Sequence, residues 1–141
     1  MNAMLFNVPE HPVRKPFPRC LGRPNCVSST MWDRSHRVEP FHLTGDPEQS
    51  WKAVVKEVSE LDRTVVVAET SVRLHAECRS RFLGMIDDLA LELFPDLCRV
   101  EICSAARKGW WDFGINRRRV ECLRKRLARR GVVQNTFRVF P

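Results

Sequence analysis

The chain contains no apolar run approaching the ~18–20 residues of a membrane-spanning helix, which sets aside a helical membrane protein. Its opening, Met-Asn-Ala-Met-Leu-Phe-Asn-Val-Pro-Glu, lacks a basic flank and is too short in apolar residues for a secretory signal, so a cytoplasmic protein is expected. None of the six cysteines (20, 26, 78, 98, 103 and 122) forms Cys-x-x-Cys, and no histidine stands at zinc-finger spacing. No structural metal and no cofactor are therefore expected. Internal repeats and low-complexity tracts are also missing. Helix-turn-helix and aromatic ribonucleoprotein patterns are lacking as well, which argues against nucleic acid as a partner.

What is there fits one soluble globular domain. The 141 residues are 43% hydrophobic and 29% charged, and a monomer is expected. The net charge of +7 is local. Between Arg107 and Arg130 ten Lys or Arg stand against Asp112 and Glu121, a net of +8, so the remainder sums to −1. Such a field attracts phosphates, carboxylates or acidic surfaces, unless it is only the solvated face of a helix. Without a signal peptide, reduced thiols are the default. Cys78, Cys98, Cys103 and Cys122 fall inside predicted strands or a helix, as small core hydrophobes. Cys20 and Cys26 flank a turn and would close a disulfide in an oxidising compartment.

Residues 1–45 carry Pro at 9, 12, 16, 18, 24 and 40 without helical or strand periodicity, and read as an extended arm on the domain at 46–141. Asp46, Pro47 and Gln49 form a helix start, and Trp51, Val54, Val55, Val58 and Leu61 mark one face of a helix over 47–61. Period-two runs follow at Thr64–Ala68, Val72–Ser80, Ile86–Phe94 and Arg99–Ala106. A second helix is expected from about Asn116 to Arg130, striped by Val120, Leu123 and Leu127 and stopped by Gly131. Val133, Phe137, Val139 and Phe140 suggest a further edge strand. The class is α+β: an antiparallel sheet of about four to five strands with two helices packed on its apolar face, in helix–strands–helix order. The polar face of that sheet would lie in water or beneath the arm.

Chemistry concentrates at two places. His75 and Glu77 share one strand face, near Asp87 and Asp88, and could bind a metal or act as acid and base. Equally, Asp87 or Asp88 would pair with Arg107, Arg118 or Arg119, and Glu77 with Arg79 or Arg99, as a structural ion-pair network. The second place is the turn from Trp110 to Asn116. Asp112-Phe113-Gly114 matches a kinase tripeptide by letters, but no Gly-rich loop, strand-lysine motif or catalytic-loop signature accompanies it. Gly109 and Gly114 would supply positive φ, Asp112 would bond backbone amides or an arginine, and Asn116 would cap the helix. The helix start beside Arg117, Arg118 and Arg119 would be an anion site. Trp110 and Trp111 would stack on a ligand, enter a membrane interface, or pack on the sheet.

Three separated motifs carry a resemblance. They are Arg23-Pro24-Asn25-Cys26-Val27-Ser28-Ser29; Leu74-His75-Ala76-Glu77 leading through Ser80 and Gly84 to Asp87-Asp88; and Ser104-Ala105-Ala106-Arg107 with Gly109, Asp112-Phe113-Gly114 and Asn116-Arg117-Arg118-Arg119. In order and spacing, from about Cys20 to Leu127, the chain resembles the domain of unknown function 1499 family. Arg73 replaces an aromatic residue, Met85 a Phe, Ala106 a Ser, and Trp110-Trp111 the more usual Tyr and Ser, so no hydroxyl role carries over to 106 or 111. The resemblance implies no activity; it does imply a family in which many members are exported or membrane-attached.

Three functional readings follow. The favoured one is a noncatalytic binding or accessory protein. It would hold an anionic or hydrophobic small molecule at a polar, basic site of His75, Glu77, Arg107, Trp110, Trp111, Asp112, Asn116 and Arg118. The second is an interaction protein whose basic C-terminal helix meets an acidic protein or membrane surface. The third is an enzyme or metal site at His75, Glu77 and Asp88.

Overall fold

A computed structural model describes residues 16–81 and 84–135. The arm residues contribute β1 (Cys26–Ser28) and β2 (Phe41–His42), ahead of α1 (Pro47–Ser59), β3 (Thr64–Glu69), β4 (Arg73–Arg79), β5 (Ile86–Phe94), β6 (Arg99–Ala106) and α2 (Ile115–Arg129). The class is α+β, with a sheet of six strands among the described residues rather than four or five. Strand order is β1-β6-β5-β4-β3, with β2 also on β6, and these strand pairings are antiparallel. The added strands come from the arm. β1 and β2 are too short for period-two patterning to show, and each needs the free edge of β6 to become a strand.

Local chemistry sets the helix ends. Asp46 accepts from the Gln49 amide at 2.9 Å, and Pro47 opens α1. After α2, Gly131 takes φ 71°; its amide bonds Ala128 O, and the Val132 amide bonds Leu127 O. This closure needs the left-handed conformation that glycine tolerates. Beyond it, Val133 forms a single bridge to Leu43, while Phe137, Val139 and Phe140 lie outside the described residues.

Both helices pack on one face of the sheet. Trp51, Val54 and Val58 of α1 and Val120, Leu123 and Leu127 of α2 meet Leu74, Ala76, Leu89, Leu91, Val100 and Ile102 in one buried cluster with Phe41. Alternation along β4, β5 and β6 supplies that face. Cys78 and Cys103 are buried as expected, but Cys98 and Cys122 are exposed. Cys98 is lifted out of the sheet in a left-handed turn after β5 (φ 47°), and Cys122 lies off the α2 stripe.

Glu57 of α1 ties the helices together. It meets Arg130 at 2.8 Å and Arg126 at 2.9 Å while itself buried. The Arg130 hydrogen bond, with Arg126, holds its carboxyl below the usual value of 4.5 against the opposing effect of burial. A carboxyl with a depressed folded pKa stabilises the fold above its unfolded pKa and loses that stabilisation as pH falls through the folded value. Glu57→Gln is expected to lower stability by about 1–3 kcal/mol at neutral pH. It should also flatten the acid limb of a stability-against-pH curve below about pH 5, measured by urea unfolding.

Candidate functional site

The sheet face turned away from α1 and α2 is charged, and most of its charges are paired. Register sets Arg73, His75 and Glu77 of β4 opposite Glu92, Ala90 and Asp88 of β5. Arg73 meets the buried Glu92 at 3.2 Å, and Arg99 meets Glu101 at 2.8 Å. Arg107 donates to both Asp88 oxygens, at 2.7 and 3.1 Å, and to Glu77 Oε1 at 3.1 Å. His75 Nε2 lies 2.8 Å from Asp88 Oδ1. Arg107 first, and His75 after it, hold Asp88 below the ordinary carboxylate range, outweighing burial. Glu77 takes Arg107 as its partner, in place of Arg79 or Arg99. Asp88 stands opposite Ala105, so Arg107 emerges just beyond β6 on the same face, whereas Arg99 lies at the other end of β6. Among the described residues, no Ser, Thr or Cys hydrogen-bonds the His75 ring. Nor do His75, Glu77 and Asp88 converge as a set of metal ligands among the described residues.

One residue earlier, Asp87 points to the opposite face and pairs with Arg119 of α2 at 2.7 Å. Arg119 also donates to Ser104 Oγ and, at 2.7 Å, to Asn116 Oδ1. That same oxygen accepts from the Ser104 hydroxyl at 2.7 Å. The Asn116 amide nitrogen donates to Asn25 O at 3.2 Å and to Asp112 Oδ2 at 2.8 Å. Asn25 in turn accepts from the Ala106 amide and donates through Nδ2 to Gly109 O at 2.8 Å. Asn25, Ser104 and Asn116 are almost wholly buried. Buried polar groups at this density are tolerated because each finds a partner.

This network corrects the expectation for the helix start. Asn116 lies inside α2, and its side chain is spent on the interior. Asp112 does the capping: Oδ1 accepts from the Gly114 amide at 2.9 Å and Oδ2 from the Asn116 amide at 3.1 Å. The position open to an anion already holds this carboxylate. Gly109 (φ 86°) and Gly114 (φ 75°) take the positive φ the turn requires, and Phe113 is held there too at φ 54°.

A family model matches residues 17–127, most of the chain, under the description protein of unknown function (DUF1499). The chain belongs to the DUF1499 family. No curated protein and no solved structure matches it. In this DUF1499 chain the first and third resembling motifs meet at the Asn25–Ser104–Asn116 junction, and Asp87 of the second reaches it through Arg119, an arrangement that residue-by-residue reading of the sequence did not assemble. Asn25 and Ser104 carried one signal: small hydrogen-bonding residues sit inside separate motifs, next to core positions.

The tryptophans do not pack on the sheet. Trp110, Trp111 and Phe113 are 58%, 71% and 85% exposed. Beside them a shallow cleft of about 300 Å³ is lined by Gly84, Met85, Ile86, Arg107 and Lys108. The α2 cations are mostly engaged. Arg117 bonds carbonyls of Arg34, Ser35 and Arg37. Buried Arg124 bonds carbonyls of Glu39 and Pro40 and stacks 4.9 Å over Phe41. Arg118, Lys125 and Arg129 are exposed. At the sheet edge, Cys20 and Cys26 form a disulfide instead of the default thiols. Burial pushes the neighbouring Cys103 thiol up to about 11.

Asn116→Ala leaves the Asn25 carbonyl, Ser104 and Arg119 short of partners. It is expected to cost about 2–4 kcal/mol in urea unfolding with an unchanged slope. His75→Ala, on the half-open face, should cost less than about 1 kcal/mol by the same measurement.

Proposed function

We propose that this protein is a noncatalytic binding module that docks on an anionic membrane surface through the turn from Lys108 to Ile115. The observation that carries this reading is the exposure of Trp110, Trp111 and Phe113 on a loop fastened from beneath by Asn25, Asp112 and Asn116. Aromatic side chains held out in water lose apolar burial unless something covers them. Tryptophan suits the headgroup layer, where its ring is buried and its N–H stays wet. Exposed Lys108 and Arg118 flank that turn, each adding about 1 kcal/mol of attraction near an anionic leaflet. The commitment of Arg117, Arg119, Arg124 and Arg126 to internal partners moves the contact from the helix barrel to its leading turn.

A second reading rests on the cleft between Gly84–Ile86 and Arg107–Lys108, which would take a small anionic molecule. At about 300 Å³ it stands at the lower limit for ligand pockets. An enzymatic role has less support. Both Asp88 oxygens are engaged by Arg107, and charged Asp88 sits in an ion pair that structural needs account for.

Co-sedimentation with vesicles tests the proposal. Binding is expected to vesicles containing phosphatidylglycerol, to weaken between low and physiological salt, and to fall at least about tenfold in Trp110→Ala/Trp111→Ala. Equal binding of that variant, or none by the wild type, would overturn membrane docking. Native mass spectrometry showing a bound small anion would move the assignment to the cleft.

A further inference from the structure

Away from the aromatic turn, three sulfurs converge. Cys26 of β1 and Cys103 of β6 lie on the helix-free face as diagonal neighbours, since Cys26 stands opposite Ala105 and Ser28 opposite Cys103. Cys20 comes in from the arm. The three sulfur atoms all lie within 4.8 Å of one another and are buried. Phe17, Met31 and Ala105 pack around them and the Ser28 hydroxyl reaches Cys103, so the surroundings are mostly apolar with a thioether side chain among them. A disulfide needs two cysteines; the third sulfur at the same point is what the Cys20–Cys26 bond leaves unexplained.

We propose that the reduced protein binds one soft, thiophilic metal ion, copper(I), at Cys20, Cys26 and Cys103. Soft thiolate ligands favour copper(I), which is content with three sulfurs. Structural zinc takes four ligands, and among the described residues no imidazole or carboxylate joins this cluster. The Cys20–Cys26 disulfide governs access. A dithiol reductant supplies two electrons and two protons: its own sulfurs become a disulfide, the Cys20–Cys26 bond breaks, and two thiols form. Copper(I) then displaces thiol protons to solvent with no change in its own oxidation state. In the loaded form the ion ties the arm to β6, a link the disulfide, confined to the arm and β1, does not make.

The test uses the full chain, reduced and desalted without oxygen, titrated with copper(I) against a chromophoric copper(I) chelator. One equivalent is expected, with a near-ultraviolet thiolate-to-copper band, and none for the oxidised protein. Cys98→Ser/Cys122→Ser, which removes the exposed thiols, should bind as the wild type does. Cys103→Ala should bind at least about tenfold more weakly, since even outer partners of a metal contribute that much. Equal binding by Cys103→Ala, or loss of binding with Cys98 and Cys122, overturns the site. Copper X-ray absorption on the wild type decides without any variant. Three sulfur neighbours support the assignment; two, or a nitrogen or oxygen shell, contradict it.

Discussion

Everything distinctive about this molecule hangs on the buried side chain of Asn116. Its amide nitrogen reaches the Asn25 carbonyl and the Asp112 carboxylate, and its oxygen accepts from Ser104 and Arg119. One residue thereby joins the turn that leads into β1, the strand β6, the aromatic turn and α2. Asn116 is the second residue of α2, in the first turn, where asparagine is better tolerated than in a helix interior. It is retained here because a neutral amide can donate and accept at one buried point, which neither a charge nor an apolar group does.

The surrounding arginines follow the same logic. Arg119 carries the junction on to Asp87 at the start of β5, while Arg117 and Arg124 fasten arm carbonyls to α2. A planar guanidinium presents several fixed donors, so one side chain satisfies two or three carbonyls left unpaired by an irregular segment. The Pro-rich arm needs such partners, because proline removes backbone donors and leaves few ladder bonds. What looks in the sequence like a field for an external anion is thus largely internal wiring. The exposed remainder lies at both ends of α2 and around the turn.

The regular parts were legible. β5 and β6 begin and end where alternation places them, and α1 begins at the Asp46–Pro47 signal. The strands of the arm were not legible, because two or three residues carry no period and β1 and β2 exist only through β6. Asp87 and Asp88 were visible as a pair, yet their separation onto opposite faces follows from strand geometry and assigns one to Arg119 and the other to Arg107. Asn116 read as a cap because Asn is common there; Asp112, four residues earlier, holds that place through a turn whose shape depends on Asn25. Long-range hydrogen bonds of this kind have no local signature. The cysteine cluster is similar: Cys103 is 77 residues beyond Cys26, and only β1–β6 pairing brings them together.

The aromatic turn is fastened to the sheet edge through Asn25 and Asn116. Native-state hydrogen exchange at the amides of Ala106, Gly114 and Asn116 tests it most directly. Protection close to that of the core strand β5 is the predicted result, since each amide would open only with the junction itself. Exchange at the rate of a freely moving loop, with β5 still protected, would mean that Asn25 and Asn116 do not hold the turn.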